Sequence, residues 1–126
     1  MKFGICIDVE DSARAVEFYS KGLGLRLVNQ GPDWGELEVD AQSIYIMQLP
    51  SGADPYIDKR VTRNYKRHWT PVHLDFMVDD LESAVKRAVD AGATLDRPIQ
   101  HRDGLPNMAN MADPFGNGFD LIQRKS

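Results

Sequence analysis

The sequence predicts an α+β protein built from two copies of one module, each a strand, a helix and three further strands (βαβββ). A shift of 69 positions, which places Phe3 on Val72, superimposes the first such strand and helix on the second. Both copies keep an apolar strand face, an acidic residue before the helix, an inward apolar stripe and glycine after it. A repeat of about half the chain length indicates a duplicated module more strongly than local propensity does.

Composition narrows the class of protein. The chain has 126 residues, 42% hydrophobic and 27% charged, which is typical of one soluble globular domain. No apolar run approaches the roughly 20 residues of a membrane-spanning helix, and the N-terminus lacks a signal-peptide layout. The single cysteine, Cys6, excludes an internal disulfide framework and fits a reducing compartment. With a net charge of −4, we expect a cytoplasmic protein with neither a nucleic-acid nor a membrane partner.

The first module covers about residues 1–50. Its first strand, Phe3–Val9, alternates Ile5, Ile7 and Val9 with polar or small residues, and Asp11 caps a helix that runs to about Lys21. Glycines then end the helix. Three strands follow, and the tight connection Ala41-Gln42 joins the last two of them: Arg26–Gln30, Trp34–Asp40 and Ser43–Leu49.

A connector of about residues 51–70 joins the modules. Its segment 59–68 is basic, and it is interpreted either as a solvated linker or as a lid that anchors an anionic ligand. Tyr65 and Trp69 argue for some packing of this segment, because large aromatic side chains on a connector usually contact something.

The second module covers about residues 71–126. In its first strand, which runs from Val72, the apolar residues alternate with His73, Asp75 and Met77, so these three share the face opposite the helix. Asp80 caps a helix over Leu81–Ala91, and Gly92 ends it. Thr94–Ile99 is predicted as a strand interrupted at Pro98, which makes it an edge strand or ends it there. Residues 107–112 lead into a turn, Asp113-Pro114-Phe115-Gly116-Asn117-Gly118, and the last strand is Phe119–Gln123.

These motifs resemble the vicinal oxygen chelate superfamily, which has the fold of glyoxalases, bleomycin-resistance proteins and extradiol dioxygenases. The resemblance covers essentially the whole chain. It rests on the repeat, on Phe18-Tyr19 followed by Leu23-Gly24, on the segment from His73 to Gly92, and on the DPFGN turn before the last strand. It implies two βαβββ modules whose mixed sheets curl around a cavity, and it implies a homodimer.

The resemblance also implies four positions for metal ligands, at the first and last strand of each module. Alignment within the chain places Gly4, Tyr45, His73 and Asp120 there. Glycine has no donor and a neutral tyrosine is a poor ligand, so only an imidazole and a carboxylate remain, fewer than a catalytic ion normally takes from protein. His68 and His101 are substitutes on predicted loops, without supporting spacing. We therefore expect no complete metal site and no cofactor, with a divalent ion as the alternative.

Three functions stay open on this basis. The preferred one is metal-free binding or sequestration of a planar organic ligand, with His73 as the candidate functional histidine. The alternatives are a metal-dependent lyase, isomerase or dioxygenase that uses His73 and Asp120, and a dimerising module without a ligand. The expected binding residues are Trp34, Tyr45, Met47, His73, Asp75, Met77 and Asp120. Aromatic and methionine side chains with a few polar groups are typical of a small-molecule pocket.

Overall fold

A computed structural model of the chain describes residues 1, 3–53, 62–70 and 72–125, and it divides into two compact units, Met1–Lys66 and Arg67–Ser126. The predicted α+β class, with two strand-helix-three-strand modules, is confirmed. Unit 1 contains β1 (Ile5–Val9), α1 (Ser12–Glu17), β2 (Arg26–Gln30), β3 (Trp34–Val39) and β4 (Gln42–Gln48). Unit 2 contains β5 (Leu74–Val78), α2 (Leu81–Asp90), β6 (Thr94–Leu95), β7 (Met108–Ala112) and β8 (Gly118–Gln123).

The two units have the same sheet topology. The strand orders are β1-β4-β3-β2 and β5-β8-β7-β6, and in each sheet the first strand lies parallel to the last. The registers match as well, since Cys6 faces Tyr45 in unit 1 and Asp75 faces Asp120 in unit 2. These registers agree with the internal alignment, which placed Tyr45 and Asp120 at equivalent positions.

Both helices begin in the same way. The carboxylate of Asp11 accepts a hydrogen bond from the backbone N–H of Arg14 at 3.1 Å, and that of Asp80 accepts one from Ser83 at 3.1 Å. A glutamine at the end of the last strand supports each start. Gln48 Oε1 accepts from the N–H of Ser12 at 2.9 Å, and Gln123 Oε1 accepts from that of Leu81 at 2.9 Å. Each helix start is thereby tied to the middle of its own sheet.

The ends of the helices differ between the units. α1 stops at Glu17 and continues as a π-helical turn, Phe18–Gly22, so the predicted helix to Lys21 has the right extent but changes its hydrogen-bonding pattern. α2 ends at Asp90, and Gly92 follows with a φ of 113°, which favours glycine.

Each sheet buries one face against its helix. In unit 1 the fully buried side chains include Val9, Leu37, Ile44 and Ile46, with Phe18 and Tyr19 from the π-helical turn. In unit 2 they include Leu81, Ala88, Met111, Phe119 and Leu121. Burial of each large apolar side chain contributes about 1.5–3 kcal/mol. The opposite faces carry the exposed and polar residues, so chemistry and core occupy different sides of the same strands.

Two strand predictions in unit 2 need correction. The predicted strand Thr94–Ile99 is an edge strand as expected, but its extent is wrong, because β6 already ends at Leu95, before Pro98. Residues 107–112, predicted only as a lead-in to the turn, form β7 and pair antiparallel with β8. The turn between them is confirmed. The buried carboxylate of Asp113 accepts from the backbone N–H groups of Phe115 (2.8 Å) and Asn117 (2.9 Å), and Gly116 has a φ of 88°.

The connector is described in part. Lys59 and Arg60, at the start of the predicted basic segment, lie outside the described residues, so the choice between a linker and a lid stays open. The Tyr65 hydroxyl donates to the carbonyl oxygen of Leu49 at 2.7 Å within unit 1, whereas the N–H of His68 donates to the carbonyl oxygen of Gly116 at 3.0 Å within unit 2. No helix among the described residues combines the length and apolar character needed to cross a membrane.

Candidate functional site

Three predicted site residues of unit 2 converge on one face of its sheet. His73 lies directly before β5, Asp75 lies within β5, and the parallel register places Asp120 of β8 beside Asp75. His73 Nε2 is 3.2 Å from Asp75 Oδ1 and 3.3 Å from Asp120 Oδ2. One imidazole and two carboxylates therefore present donor atoms that all lie within 4.8 Å of one another.

Asp120 is the buried member of this cluster, with 5% of its surface exposed. Burial raises the pKa of its carboxyl; the hydrogen bond from Asn110 lowers that pKa, Asp75 raises it and His73 lowers it, and the net direction is upward. Asn110 Nδ2 donates to Asp120 Oδ1 at 2.6 Å, while the other oxygen faces His73. Both oxygens are thus held by neighbours, so the orientation of this carboxylate is fixed.

A polar chain extends from Asp120 toward the edge of the sheet. Asn110 lies in β7 opposite Asp120, and its Oδ1 accepts hydrogen bonds from Gln100 Nε2 (2.6 Å) and from Arg97 Nε (2.9 Å). One amide group therefore orients both the buried carboxylate and the arginine.

Trp69 forms one wall of the site. Its indole lies directly over Gly118, where an added Cβ would be only 2.7 Å from Trp69 Cδ2, and its ring meets that of His73 edge-on, with the centroids 5.3 Å apart. Trp69 Nε1 donates to Asp96 Oδ2 at 3.2 Å, and the guanidinium of Arg67 lies 4.9 Å from the indole centroid. Despite these contacts, 43% of the surface of Trp69 remains exposed.

These residues line an open cleft of about 410 Å³ within unit 2. The lining combines one aromatic side chain, one imidazole, two carboxylates, one guanidinium and one amide: Trp69, His73, Asp96, Asp120, Arg97 and Asn110. A concave site with an aromatic wall and converging polar groups can orient a small organic molecule through stacking and hydrogen bonds.

The structure does not place all predicted binding residues in this cleft. Asp75 and Met77, which is 65% exposed, share the outward face of β5, but neither is among the residues that line the cleft. Trp34, Tyr45 and Met47 belong to unit 1, where Trp34 lies in β3 and the other two lie in β4. Their role in binding stays a prediction.

The positions of unit 1 that correspond to the cluster carry different chemistry. Gly4 corresponds to His73, and a Cβ there would meet Tyr45 Cε2 at an ordinary 3.7 Å. Tyr45 corresponds to Asp120, and its hydroxyl donates to Glu36 Oε1 at 3.4 Å. Cys6 corresponds to Asp75; burial and then Asp8 raise the pKa of its thiol, which keeps it in the weakly reactive protonated form. Unit 1 thus offers no second group of imidazole and carboxylates at these positions.

The two substitute histidines lie apart from the donor cluster. His68 Nε2 is 3.1 Å from Asn117 Oδ1, which assigns this ring to the turn before β8, and its Nδ1 is buried without a hydrogen-bond partner among the described residues. His101 is exposed on the loop before β7. In the described part of the chain, the group of His73, Asp75 and Asp120 is the one arrangement of three such donors.

Sequence reasoning missed four residues of the cleft. Trp69 had a signal, as a large aromatic on a connector, and Asn110 had one too, because it alternates with the buried Ala109 and Met111. Asp96 and Arg97 follow the short edge strand β6, where no periodicity marks a functional face.

Comparisons with known proteins place this geometry in a family. Residues 4–122 match the model of the glyoxalase-like domain. The lactoylglutathione lyase of Pseudomonas aeruginosa is 24% identical to this chain in an alignment that covers 91% of this chain and 77% of that protein.

Solved structures agree at the level of the fold. The fosfomycin resistance protein FosX of Listeria monocytogenes has a TM-score of 0.74 at 16% identity, covering 99% of this chain and 93% of that one. A glyoxalase/bleomycin resistance protein/dioxygenase family enzyme of Burkholderia phytofirmans has a TM-score of 0.72 at 20% identity, covering 94% of each chain. In another solved structure, the Listeria FosX protein is complexed with Mn(II) and a sulfate ion. At such identities the likeness concerns the fold, but the domain match spans nearly all of the sequence, and the chain belongs to the glyoxalase-like domain family, within the vicinal oxygen chelate superfamily.

Proposed function

We propose that this chain is a bleomycin-resistance-like member of its family that binds a small planar organic ligand in the unit 2 cleft without needing a metal ion. The observation that supports this most is Trp69, which is held from below by Gly118 and at its edge by Asp96, yet leaves much of its surface exposed. An aromatic side chain fixed in this way loses little entropy when a flat ligand stacks on it.

In this proposal His73 acts as a hydrogen-bonding group. Asp75 and Asp120 both lie within hydrogen-bonding distance of its Nε2, so they fix the orientation of the ring. A polar atom of the ligand would meet a ring whose position is already determined, beside the stacking surface of Trp69.

Two single-tryptophan variants test the location of binding, since the chain has two tryptophans. Trp34→Phe leaves Trp69 as the fluorophore, and Trp69→Phe leaves Trp34. A library of aromatic compounds should produce saturable quenching in Trp34→Phe and a rise in its melting temperature, with a much smaller response in Trp69→Phe. The reverse pattern would show that the ligand binds in unit 1, at the face that carries Trp34, Tyr45 and Met47. No saturable binding in either variant would contradict the proposal and leave the metal-dependent enzyme and the dimerising module.

A metal-dependent lyase, isomerase or dioxygenase is the second candidate, and the position of Asp75 favours it. Sequence analysis kept only two plausible metal ligands, His73 and Asp120. The structure brings three donor residues together, which is the number that catalytic metal ions commonly take from protein. The FosX structure complexed with Mn(II) has the same fold. Within unit 2 the residues fit such an ion, which His73, Asp75 and Asp120 would hold and which would polarise an oxygen of the substrate. The two positions implied in unit 1 do not fit, because Gly4 and Tyr45 occupy them.

Metal analysis separates the two candidates without an activity assay. The protein is purified without chelator, incubated with zinc, manganese or ferrous iron, desalted and analysed for bound metal. We expect clearly less than one equivalent, with no difference between the wild type and His73→Ala. His101→Ala is the matched control, because His101 lies outside the donor cluster. One equivalent that is lost in His73→Ala and Asp75→Ala, but kept in His101→Ala, would establish the metal-dependent candidate instead.

A further inference from the structure

We propose that the ligand of the unit 2 cleft carries an oxyanion, a carboxylate or a phosphonate, and that Arg97 is the residue that binds it. This inference rests on the proposed function and adds the chemical class of the ligand. It follows from the charges that line the cleft and from the partners that each of them has.

The acidic groups of the cleft are engaged within unit 2. Asp96 Oδ2 accepts from Trp69 Nε1 at 3.2 Å and also pairs with the guanidinium of Arg67. Asp120 is held by Asn110 and His73. A ligand that brought a positive charge would have to compete with these existing partners.

Arg97 is in the opposite situation. Its Nε donates to Asn110 Oδ1 at 2.9 Å, which orients the guanidinium, but no carboxylate of the described residues forms an ion pair with it. Its terminal N–H groups are donors without a recorded acceptor in that part of the chain. Arg97, the arginine that lines the cleft, therefore has no carboxylate partner among the described residues.

Arg97 is exposed, but one hydrogen bond connects its guanidinium to the centre of the site. Asn110, its hydrogen-bonding partner, is anchored to the buried Asp120, so the guanidinium is attached to the rigid centre of the site. Arg97 also lines the same cleft as Trp69. The planar fork of a guanidinium matches a carboxylate or phosphonate with two parallel hydrogen bonds. A ligand that places a planar group on Trp69 and an oxyanion on Arg97 is an aryl acid or a similarly flat organic acid.

Matched probes test this inference. Phenylacetate and benzylphosphonate each carry one of the two oxyanions on a benzyl group, and phenylacetamide is the neutral counterpart of the first. Each is titrated into ¹⁵N-labelled protein while the indole N–H signal of Trp69 is followed, with a chelator present so that no anion binds through a metal ion. At least one acid should bind about 10-fold more tightly than the amide, the effect of one charge-assisted hydrogen bond. The comparison of the two acids shows which oxyanion is preferred.

Variants then assign the selectivity to Arg97. In Arg97→Gln the affinity for the acid should fall about 10-fold, to that of the amide, whereas the affinity for the amide stays unchanged. Arg97→Lys keeps the charge but not the fork, so we expect an intermediate affinity. Arg26→Gln is the control for net charge, because Arg26 pairs with Glu38 in unit 1. It should retain the full preference for the acid.

The outcomes separate this inference from the proposed function. If acid and amide bind equally to the wild type, or if the preference survives in Arg97→Gln, the cleft binds flat organic ligands but Arg97 does not select anions. If none of the three probes shifts the Trp69 signal at millimolar concentration, both the inference and the proposed organic-ligand cleft are contradicted.

Discussion

Trp69 keeps its position because Gly118 has no side chain. An added Cβ at Gly118 would lie 2.7–2.9 Å from three atoms of the indole, and Gly118 does not have a positive φ, so alanine would be unfavourable because of this contact alone. The residue that shapes the aromatic wall is thus itself without any functional group.

Gly118→Ala should therefore displace Trp69 without removing a single donor of the cleft. In a Trp34→Phe background, we expect the emission of Trp69 to shift to longer wavelength and the affinity for a flat ligand to fall about 3- to 10-fold. Gly4→Ala is the control, because its Cβ would meet Tyr45 at an ordinary 3.7 Å. Unchanged emission in Gly118→Ala would mean that contacts other than the glycine position the indole.

At the level of residues, the sequence predicted the part of the site that follows the repeat. His73, Asp75 and Asp120 were found because alternation and internal alignment determine their face and register. Trp69 and Arg97 were not assigned, because their positions depend on contacts distant in sequence, such as that of Trp69 with Gly118. Asn110 was within reach, since it alternates with buried neighbours, but this requires that β7 be identified first.

Among the elements, α2 shows how one carboxylate starts a helix and makes its stability dependent on pH. Asp80 accepts from the N–H of Ser83 at 3.1 Å and from its hydroxyl at 2.8 Å, and these hydrogen bonds lower the pKa of Asp80. The folded pKa lies below that of the unfolded chain, so the stabilisation is present above about pH 4 and is lost as the pH falls through the folded value.

Two substitutions at Asp80 separate the cap from its charge. Asp80→Ala should lower the free energy of unfolding at pH 7, measured by urea denaturation. Asp80→Asn keeps an acceptor for the Ser83 N–H, so it should lose less at pH 7. Its deficit relative to the wild type should shrink as the pH falls below about 4 and the aspartate becomes protonated. A deficit that stays constant over this range would show that the charge does not contribute.

Most of the elements could be predicted because their signals are local. Alternation and helix caps lie within about ten residues of sequence, and both helices begin where the acidic caps indicated. The π-helical turn after α1 and the early end of β6 were not predicted. Both depend on how the chain packs after the helix or strand has formed rather than on periodicity.

At the scale of the whole molecule, the open sheets bear on assembly. Each four-stranded sheet has two edge strands, β1 and β2 in unit 1 and β5 and β6 in unit 2. Edge strands expose unpaired backbone groups and are usually covered. Together with the implication of the family resemblance, this leads us to expect a homodimer.

Sedimentation velocity tests this expectation. The wild type should sediment as a dimer at micromolar concentration, and the ratio of dimer to monomer should fall on dilution as mass action requires. A single monomeric species across this range would contradict it. The measurement is independent of the ligand tests, so it separates assembly from binding.

The duplicated frame has a consequence for how such a protein can change its chemistry. The same register holds Gly4, Cys6 and Tyr45 in one unit and His73, Asp75 and Asp120 in the other, although the two trios share no functional group. Both trios lie on faces opposite the helices, away from the side chains that stabilise each unit. We therefore expect substitution at the exposed positions of these trios to change the chemistry of the face with little effect on the core. The residues that fold each unit and the residues that give it its chemistry thus lie on different faces of the same strands. Each unit therefore shows which side chains the other unit's fold can accommodate at the equivalent positions.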